Sequence, residues 1–183
     1  MSALAQTAMA IAGGAAAIGT GLIFVGTGMA KLRHRALFPG VVANYRLLPE
    51  PLIRPAALVL PPLELAVGAG LLAGWRWAAA PAIALLVLFA LAMAINIARG
   101  RGHIDCGCGR PDLRQPLNRV LVWRNVVLAA LLVPALAAIP DFASAPWLVA
   151  LAGGLALYAL TLLVNALASL ATGPLAAVKG NAR

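Results

Sequence analysis

The sequence predicts an all-α membrane protein, a single domain built as a polytopic bundle of about five transmembrane helices. Hydrophobic residues make up 63% of its 183 positions and charged residues only 10%, with a mean hydropathy of +0.95. Soluble domains are roughly 45–50% apolar and 25% charged. The apolar residues also fall into runs at or above the roughly 18 residues that indicate a spanning helix. Because backbone groups in lipid must be satisfied within each segment, we expect helices and no sheet.

Five apolar runs supply the predicted spans, each near the roughly 20 residues that cross a bilayer. They cover residues 3–30, 52–73, 77–98, 120–139 and 146–171. The first run is expected to remain as a helix, because a cleavable signal peptide needs a basic segment before its apolar core and the first basic residue is Lys31. Pro61 and Pro62 remove two backbone donors and predict a kink in the second span, and Pro134 predicts a tilt or break in the fourth.

The connections and small residues complete this arrangement. The stretch KLRHRALFPGVVANYRLLPEP, residues 31–51, predicts a short amphipathic helix after Pro39 that lies on the membrane surface. Trp residues in the short second and fourth connections are typical interface anchors. Small residues spaced for close helix packing occur in the first two spans. These are Gly13, Ala17 and Gly21 in the first and the GxxxG of Gly70 and Gly74 in the second.

The basic residues predict the orientation. Thirteen of the fourteen Lys and Arg residues flank the first connection, the third connection or the C-terminal tail, and only Arg76 lies on the other side. The positive-inside rule then places the third connection in the cytoplasm and the N-terminus in the periplasm of a bacterial inner membrane. Because these charges sit beside apolar runs and form no basic domain, we expect membrane lipid around the chain and no nucleic-acid partner.

Both cysteines lie in the third connection, in the stretch HIDCGCGRPDLRQP, residues 103–116. A disulfide between Cys106 and Cys108 would close a small strained ring, which is easier to reduce and therefore suited to passing oxidising equivalents on. Nearby cations and the start of the fourth span favour the thiolate that does this chemistry. The cations are Arg101, Arg110 and Arg114.

Two alternatives to a redox pair stay open at this point. The cysteines are either inert reduced thiols or half of a zinc or copper site. A metal site usually needs about four ligands, and only His103 and Asp105 lie near the cysteines in the sequence. We therefore expect no metal, although a CxC motif by itself has low specificity.

Glu64 is the one acidic residue inside any predicted span. An ionisable group at membrane depth is costly, faces the bundle interior and is a functional candidate by default. The alternative is a structural Glu64, protonated or paired. The candidate partners from neighbouring spans are Lys31, Asn96, Asn125 and Asn165. The sequence favours neither interpretation.

Three polar residues of the first connection share the predicted face of the cysteine loop. Asn44, Tyr45 and Arg46 offer hydrogen-bond donors and a cation there. The more ordinary interpretation is an interface anchor for Tyr45 and a topology signal for Arg46, and we favour it.

Three stretches in this order carry a resemblance to a known family. GMAKLRHRALFPGVVANYRLLP, LPPLELAVGAGLLAG and DCGCG are similar to the methylamine-utilisation MauE family. That family is related to the DoxX-like membrane proteins and similar to four-helix membrane thiol oxidoreductases of the vitamin K epoxide reductase kind. The resemblance extends from Gly28 through Gly109 and less distinctly through the last two spans.

The resemblance implies a role in maturing the disulfide-rich small subunit of methylamine dehydrogenase, with a thioredoxin-like MauD protein as partner. It makes Cys106 and Cys108 the redox pair. It also implies a periplasmic site of maturation, whereas the charge pattern places the cysteines in the cytoplasm. Further characteristic family positions are matched by Lys31, Tyr45, Arg46 and Glu64.

Two functional hypotheses of different classes follow. The first is a membrane thiol–disulfide oxidoreductase that uses Cys106 and Cys108, with a quinone as a candidate cofactor. The second is a non-catalytic assembly or transport factor for the immature subunit, in which the thiols are incidental. A quinone site has no reliable sequence signature, so neither quinone use nor the direction of electron flow follows from the sequence.

Overall fold

The computed structural model describes residues 2–107, 115–142 and 144–172, and within these ranges the chain forms six α-helices. They are α1 (Ala3–Arg33), α2 (Phe38–Tyr45), α3 (Glu50–Leu72), α4 (Ala79–Ala98), α5 (Arg119–Leu131) and α6 (Ala145–Thr172). Short 3₁₀ turns, Arg76–Ala78 and Val133–Leu136, precede α4 and follow α5. Five segments of the described chain are long and apolar enough to cross a membrane. The all-α membrane bundle predicted from the sequence is therefore confirmed.

Helix α1 packs between α3 and α6, and small residues allow the close approach. A Cβ added to Gly21 would lie 3.0 Å from the carbonyl oxygen of Gly68 in α3. One added to Gly19 would lie 2.9 Å from the carbonyl oxygen of Gly154 in α6. At these positions any side chain would push neighbouring backbone away. The small residues of α1 therefore mark helix contacts, as the sequence predicts.

The GxxxG motif of Gly70 and Gly74 has a different use from the one predicted. Helix α3 ends at Leu72, and Gly74 lies beyond it with φ +76°. The Trp75 N–H donates to the Gly70 carbonyl at 2.9 Å and the Gly74 N–H to the Leu71 carbonyl at 3.1 Å. This pattern is a Schellman motif, which needs a residue in the left-handed conformation after the helix. The two glycines thus build the turn that leads into α4, and at Gly70 the turn packs closely on the start of the next span, since an added Cβ would lie 3.0 Å from Ala78 Cβ.

The prolines act differently in the two spans that contain them. Helix α3 continues as one helix through Pro61 and Pro62, and the Pro61 carbonyl packs against Gly28 of α1. By contrast, α5 stops at Leu131 and gives way to the 3₁₀ turn that contains Pro134. Proline lacks an N–H donor, and its ring clashes with the carbonyl four residues earlier. The break predicted within residues 120–139 is therefore present.

The connections meet in two groups at opposite ends of the bundle. At one end, Tyr45 of α2 hydrogen-bonds to Cys106 in the third connection. At the other end, Gly74 lies against the ring of Phe142, which packs on Trp147 with 5.5 Å between ring centroids. The first and third connections, which carry most of the basic residues, therefore share one end, as the charge pattern requires.

Two alanine substitutions in α1 test this packing. Gly19→Ala is expected to destabilise the bundle by about 1–3 kcal/mol, because the new methyl group meets backbone and Leu157 of α6. Gly26→Ala is the matched control, since the nearest atom to an added Cβ is the Tyr158 hydroxyl at 3.9 Å. It should stabilise the helix by up to about 1 kcal/mol. Thermal unfolding of both variants in detergent measures the difference, and equal stabilities would contradict the packing.

Candidate functional site

An apolar cavity of about 300 Å³ lies at the end of the bundle where the first and third connections meet. Its wall is built by the last turn of α1, by α2 and the residues after it, by α3 and α4, and by the cysteine loop. The lining residues are Lys31, Phe38, Val41, Val42, Tyr45, Leu47, Leu48, Ala56, Leu60, Leu88, Phe89, Ala92, Met93, Cys106 and Gly107. The cavity thus brings a predicted redox cysteine and a buried lysine into one apolar space.

Lys31 and Glu64 form an ion pair inside the bundle. The Lys31 ammonium donates a hydrogen bond to Glu64 Oε1, and the two residues are 8% and 0% exposed. Glu64 therefore faces the interior as predicted, and Lys31, one of its four candidate partners, holds it. Breaking such a pair would leave a buried charge without compensation, so each residue stabilises the other inside the bundle.

The Lys31 ammonium also lies over two aromatic rings of the cavity wall. Its Nζ is 5.4 Å from the centroid of Phe38 and 5.0 Å from that of Phe89. A cation within about 6 Å of a ring face is attracted by the ring quadrupole. The ammonium is therefore fixed at the edge of the cavity by a carboxylate and two rings.

The other three candidate partners of Glu64 accept hydrogen bonds from arginines. Asn96 Oδ1 accepts from Arg101 at 3.2 Å. Asn125 Oδ1 accepts from two nitrogens of Arg124, and Asn165 Oδ1 accepts from a third at 2.5 Å. The asparagines thus hold two guanidinium groups close to the helix ends, and Arg124 joins α5 to α6.

Helix α2 is fastened to the third connection by Tyr45 and Arg101. The Tyr45 hydroxyl donates to the Cys106 carbonyl at 3.0 Å. Arg101 donates to the carbonyls of Asn44 at 2.7 Å and Tyr45 at 3.4 Å, which are among the last carbonyls of the helix and have no partner within it. Tyr45 therefore contacts the cysteine loop directly, a role that the sequence did not favour. Arg46 ends α2 with a left-handed backbone, φ 47°.

Cys106 is buried, with 7% of its surface exposed, in a loop that pairs with the chain before α5. Its N–H donates to the Gln115 carbonyl at 3.0 Å, and the Leu117 N–H donates to the Ile104 carbonyl at 3.1 Å. These bonds surround an isolated antiparallel bridge between Asp105 and Pro116. The backbone from Ile104 to Cys106 is therefore held against the chain that precedes α5.

Gln115 is a site residue that the sequence analysis missed. Its Oε1 lies 3.7 Å from Cys106 Sγ, and its Nε2 donates to the Asn165 carbonyl of α6 at 3.2 Å. The side chain is 7% exposed. The sequence could have identified Gln115 by its position, since it is a neutral polar residue inside the cysteine motif and lies four positions before an apolar helix. Gln115 thus links the Cys106 sulfur to the backbone of α6.

At Gly107 the cysteine loop packs directly against α2. Its φ is +69°, and an added Cβ would lie 2.7 Å from Val41 Cγ1. Its N–H also donates to Asp105 Oδ1 at 3.1 Å. Cys108 lies outside the described residues, so its pairing with Cys106 stays a prediction.

Two further sequence expectations concern this loop. Arg110 and Arg114, like Cys108, lie outside the described residues. In the part of the chain that the structure describes, no group of three or more His, Cys, Asp or Glu residues is arranged to hold a metal ion.

Comparison with known proteins identifies the family. The family model described as Methylamine utilisation protein MauE matches residues 9–140, which extend from α1 to beyond the 3₁₀ turn after α5. The chain belongs to the MauE family. No solved structure matches it.

Three MauE proteins show the extent of the similarity. The one from Paracoccus denitrificans is 44% identical over 105 residues, which are 56% of each chain. The one from Methylorubrum extorquens is 46% identical over 101 residues, 54% of each chain, and the one from Paracoccus versutus is 41% identical over 114 residues, 61% of each. The matched part of this MauE-family chain thus covers little more than half the length of these relatives.

The buried ion pair can be tested by breaking and then replacing it. Lys31→Met or Glu64→Leu alone should destabilise the protein by about 3–5 kcal/mol, because each leaves one buried charge without its partner. The double variant Lys31→Met/Glu64→Leu should recover most of this loss, since no charge remains buried. Unfolding in detergent gives the coupling energy between the two positions. Additive losses would show that the two side chains act independently.

The contact between Gly107 and α2 has a matched control in Gly100. Both glycines have left-handed backbones, with φ +69° and +72°, but an added Cβ at Gly100 meets no atom within 4 Å. Both alanine variants therefore carry the backbone cost of roughly 1–2 kcal/mol, and only Gly107→Ala also clashes with Val41. We expect faster maleimide labelling of Cys106 in Gly107→Ala than in Gly100→Ala, each measured in a Cys108→Ser background. Equal rates would show that the loop does not depend on this contact.

Proposed function

We propose that this MauE-family chain acts in methylamine utilisation as a membrane thiol–disulfide redox protein. Cys106 and Cys108 are its dithiol, and the process they serve is maturation of the methylamine dehydrogenase small subunit. The observation that carries the proposal is the position of Cys106. It lines a cavity at the helix ends that a buried lysine also lines, in a loop held by backbone hydrogen bonds and by Tyr45.

The reaction is thiol–disulfide exchange with a thioredoxin-like partner of the MauD kind. The S–S bond between Cys106 and Cys108 breaks, an S–S bond forms in the partner, and two electrons and two protons pass from the partner's thiols to the two cysteines. A strained small ring makes this disulfide easier to reduce than a structural one. The partner then passes the oxidising equivalents on toward the small subunit.

The fixed loop supports this chemistry because exchange requires an in-line approach to one sulfur. Cys106 is held by Gln115 on one side and by the hydroxyl of Tyr45 on the other. A sulfur positioned by packing and by hydrogen bonds needs little rearrangement before reaction. In this proposal Glu64 is a positioning residue, because it holds Lys31 at the cavity and is itself fully buried.

The proposed location is a bacterial inner membrane with the cysteine loop on the cytoplasmic side and the N-terminus in the periplasm. The support is the positive-inside rule and the meeting of the two basic connections at one end of the bundle. Maturation of a periplasmic enzyme then requires that the oxidising equivalents be transferred across the membrane.

One observation favours a second candidate, a non-catalytic assembly factor for the same subunit. Cys106 is only 7% exposed, and a buried thiol in apolar surroundings is usually unreactive. In that case the cysteine loop serves to hold α2 in place, and the partner binds without exchanging disulfides.

Replacing both cysteines by serine separates the two candidates. We expect the variant Cys106→Ser/Cys108→Ser to be produced at the normal level. Maturation of the small subunit should be abolished, because the dithiol is lost. A chain that still supports maturation after this change would favour the assembly factor. The two single variants control for local damage to the loop, and a redox pair predicts that each is as defective as the double variant.

Alkylation in cells tests the redox state and the side of the membrane together. Cells are treated with a membrane-impermeant maleimide, with and without prior reduction, and the mass of this chain is followed. Labelling that requires both permeabilised cells and reductant supports a cytoplasmic redox pair. Labelling of intact cells would place the cysteines in the periplasm, and thiols that are reduced under every growth condition would contradict the redox proposal.

A further inference from the structure

The cavity lies between the lipid and the cysteine loop. Leu88 of α4 lines it and is 54% exposed, and Leu48 after α2 lines it and is 40% exposed. Leu88 belongs to a membrane-spanning segment, so the exposed part of its side chain faces lipid. A molecule dissolved in the bilayer therefore reaches this cavity without crossing water.

The polar groups of the cavity define the ligand that it suits. The Lys31 ammonium has three N–H donors, and it stands between the rings of Phe38 and Phe89. The rest of the wall is mostly aliphatic. This combination accepts an apolar, planar molecule that carries a hydrogen-bond-accepting oxygen.

The volume restricts the size of that molecule. Small-molecule sites typically measure roughly 300–1,000 Å³, and this cavity, at about 300 Å³, is at the lower end. It has room for one substituted ring, and a long aliphatic tail attached to that ring would remain in the lipid beside Leu88.

Cys106 lines the same cavity as Lys31. We propose that the cavity binds the head group of a lipid-soluble quinone, which accepts the electron pair of Cys106 and Cys108. This inference rests on the proposed function, because it supplies the acceptor that a dithiol needs in order to act repeatedly.

The step balances in electrons and atoms. Two S–H bonds are broken and one S–S bond forms between Cys106 and Cys108. The electron pair and the two protons pass to the quinone, whose two carbonyl oxygens become hydroxyls. Lys31 donates a hydrogen bond to one carbonyl oxygen and offsets the negative charge that develops there, and Glu64 keeps the ammonium in position.

Quinone reduction by the purified full-length chain tests the proposal. The chain is reconstituted in lipid nanodiscs, fully reduced, and mixed anaerobically with ubiquinone-1, whose ring is fully substituted and therefore does not add thiols. We expect one quinol for each pair of thiols lost and a chain mass that shows a disulfide and no quinone adduct.

A cavity-filling variant and a matched control locate the reaction. Ala92→Phe places a ring inside the cavity and should slow quinone reduction by about tenfold or more, because an overfilled site excludes the ligand. Leu91→Phe places the same ring one position away, where the native side chain is 55% exposed and does not line the cavity. It should react like the unmodified chain. Lys31→Arg keeps the positive charge and should retain more activity than Lys31→Met.

The outcomes separate this inference from the proposed function. If the dithiol exchanges with a thioredoxin-like partner but does not reduce ubiquinone-1, the quinone site is wrong and the proposed function stands. Equal rates for Ala92→Phe and Leu91→Phe would also overturn the site, since the quinone would then react outside the cavity. A chain that exchanges with no partner would overturn the proposed function itself.

Discussion

The charge of a carboxylate at membrane depth has to be balanced by a partner, and the ion pair that does this organises one end of the molecule. Glu64 in α3 is fully buried, and the ammonium that balances it comes from Lys31 in the last turn of α1. Gly28 of α1 packs against Pro61 and Leu65 of α3, which places Glu64 about one turn closer to the membrane centre than Lys31. The lysine side chain therefore points inward, toward the preceding turns of its own helix, as helical side chains generally do. A lysine near a membrane surface otherwise extends outward to water.

This inward lysine connects the packing of the helices to the cavity. Because α1 and α3 are held together both by the ion pair and by close glycine contacts, the Lys31 ammonium has a fixed position under Phe38 of α2. Helix α2 is held from the other side by Arg101 and by the Tyr45 hydroxyl, which bonds to the cysteine loop. Two sets of interactions therefore hold α2 over the cavity. One is the cation–π contact between Lys31 and Phe38, and the other is the set of hydrogen bonds made by Tyr45 and Arg101.

The cysteine loop is supported from both halves of the bundle. Gly107 packs on Val41 of α2, while Gln115 connects the Cys106 sulfur to the backbone of α6. Neutral asparagines hold the nearby guanidinium groups of Arg101 and Arg124. Polar side chains that bond to one another in such a network restrict each other's movement. A loop of this kind positions its sulfur without an extended secondary structure.

The sequence by itself determined the fold class, the number of spans and the interior position of Glu64. The fold class and the number of spans follow from the length of apolar chain that crosses a bilayer. The interior position of Glu64 follows from the cost of a charge in lipid. The sequence also identified Lys31 among four partners for Glu64, but it had no means of choosing, since the choice depends on the register of α1 against α3. The use of Gly70 and Gly74 in a turn, the bond from Tyr45 to the cysteine loop and the role of Gln115 were decided only by tertiary structure. These features bring together residues that are far apart in the chain, and hydrophobic periodicity carries no information about which side chains meet across different helices.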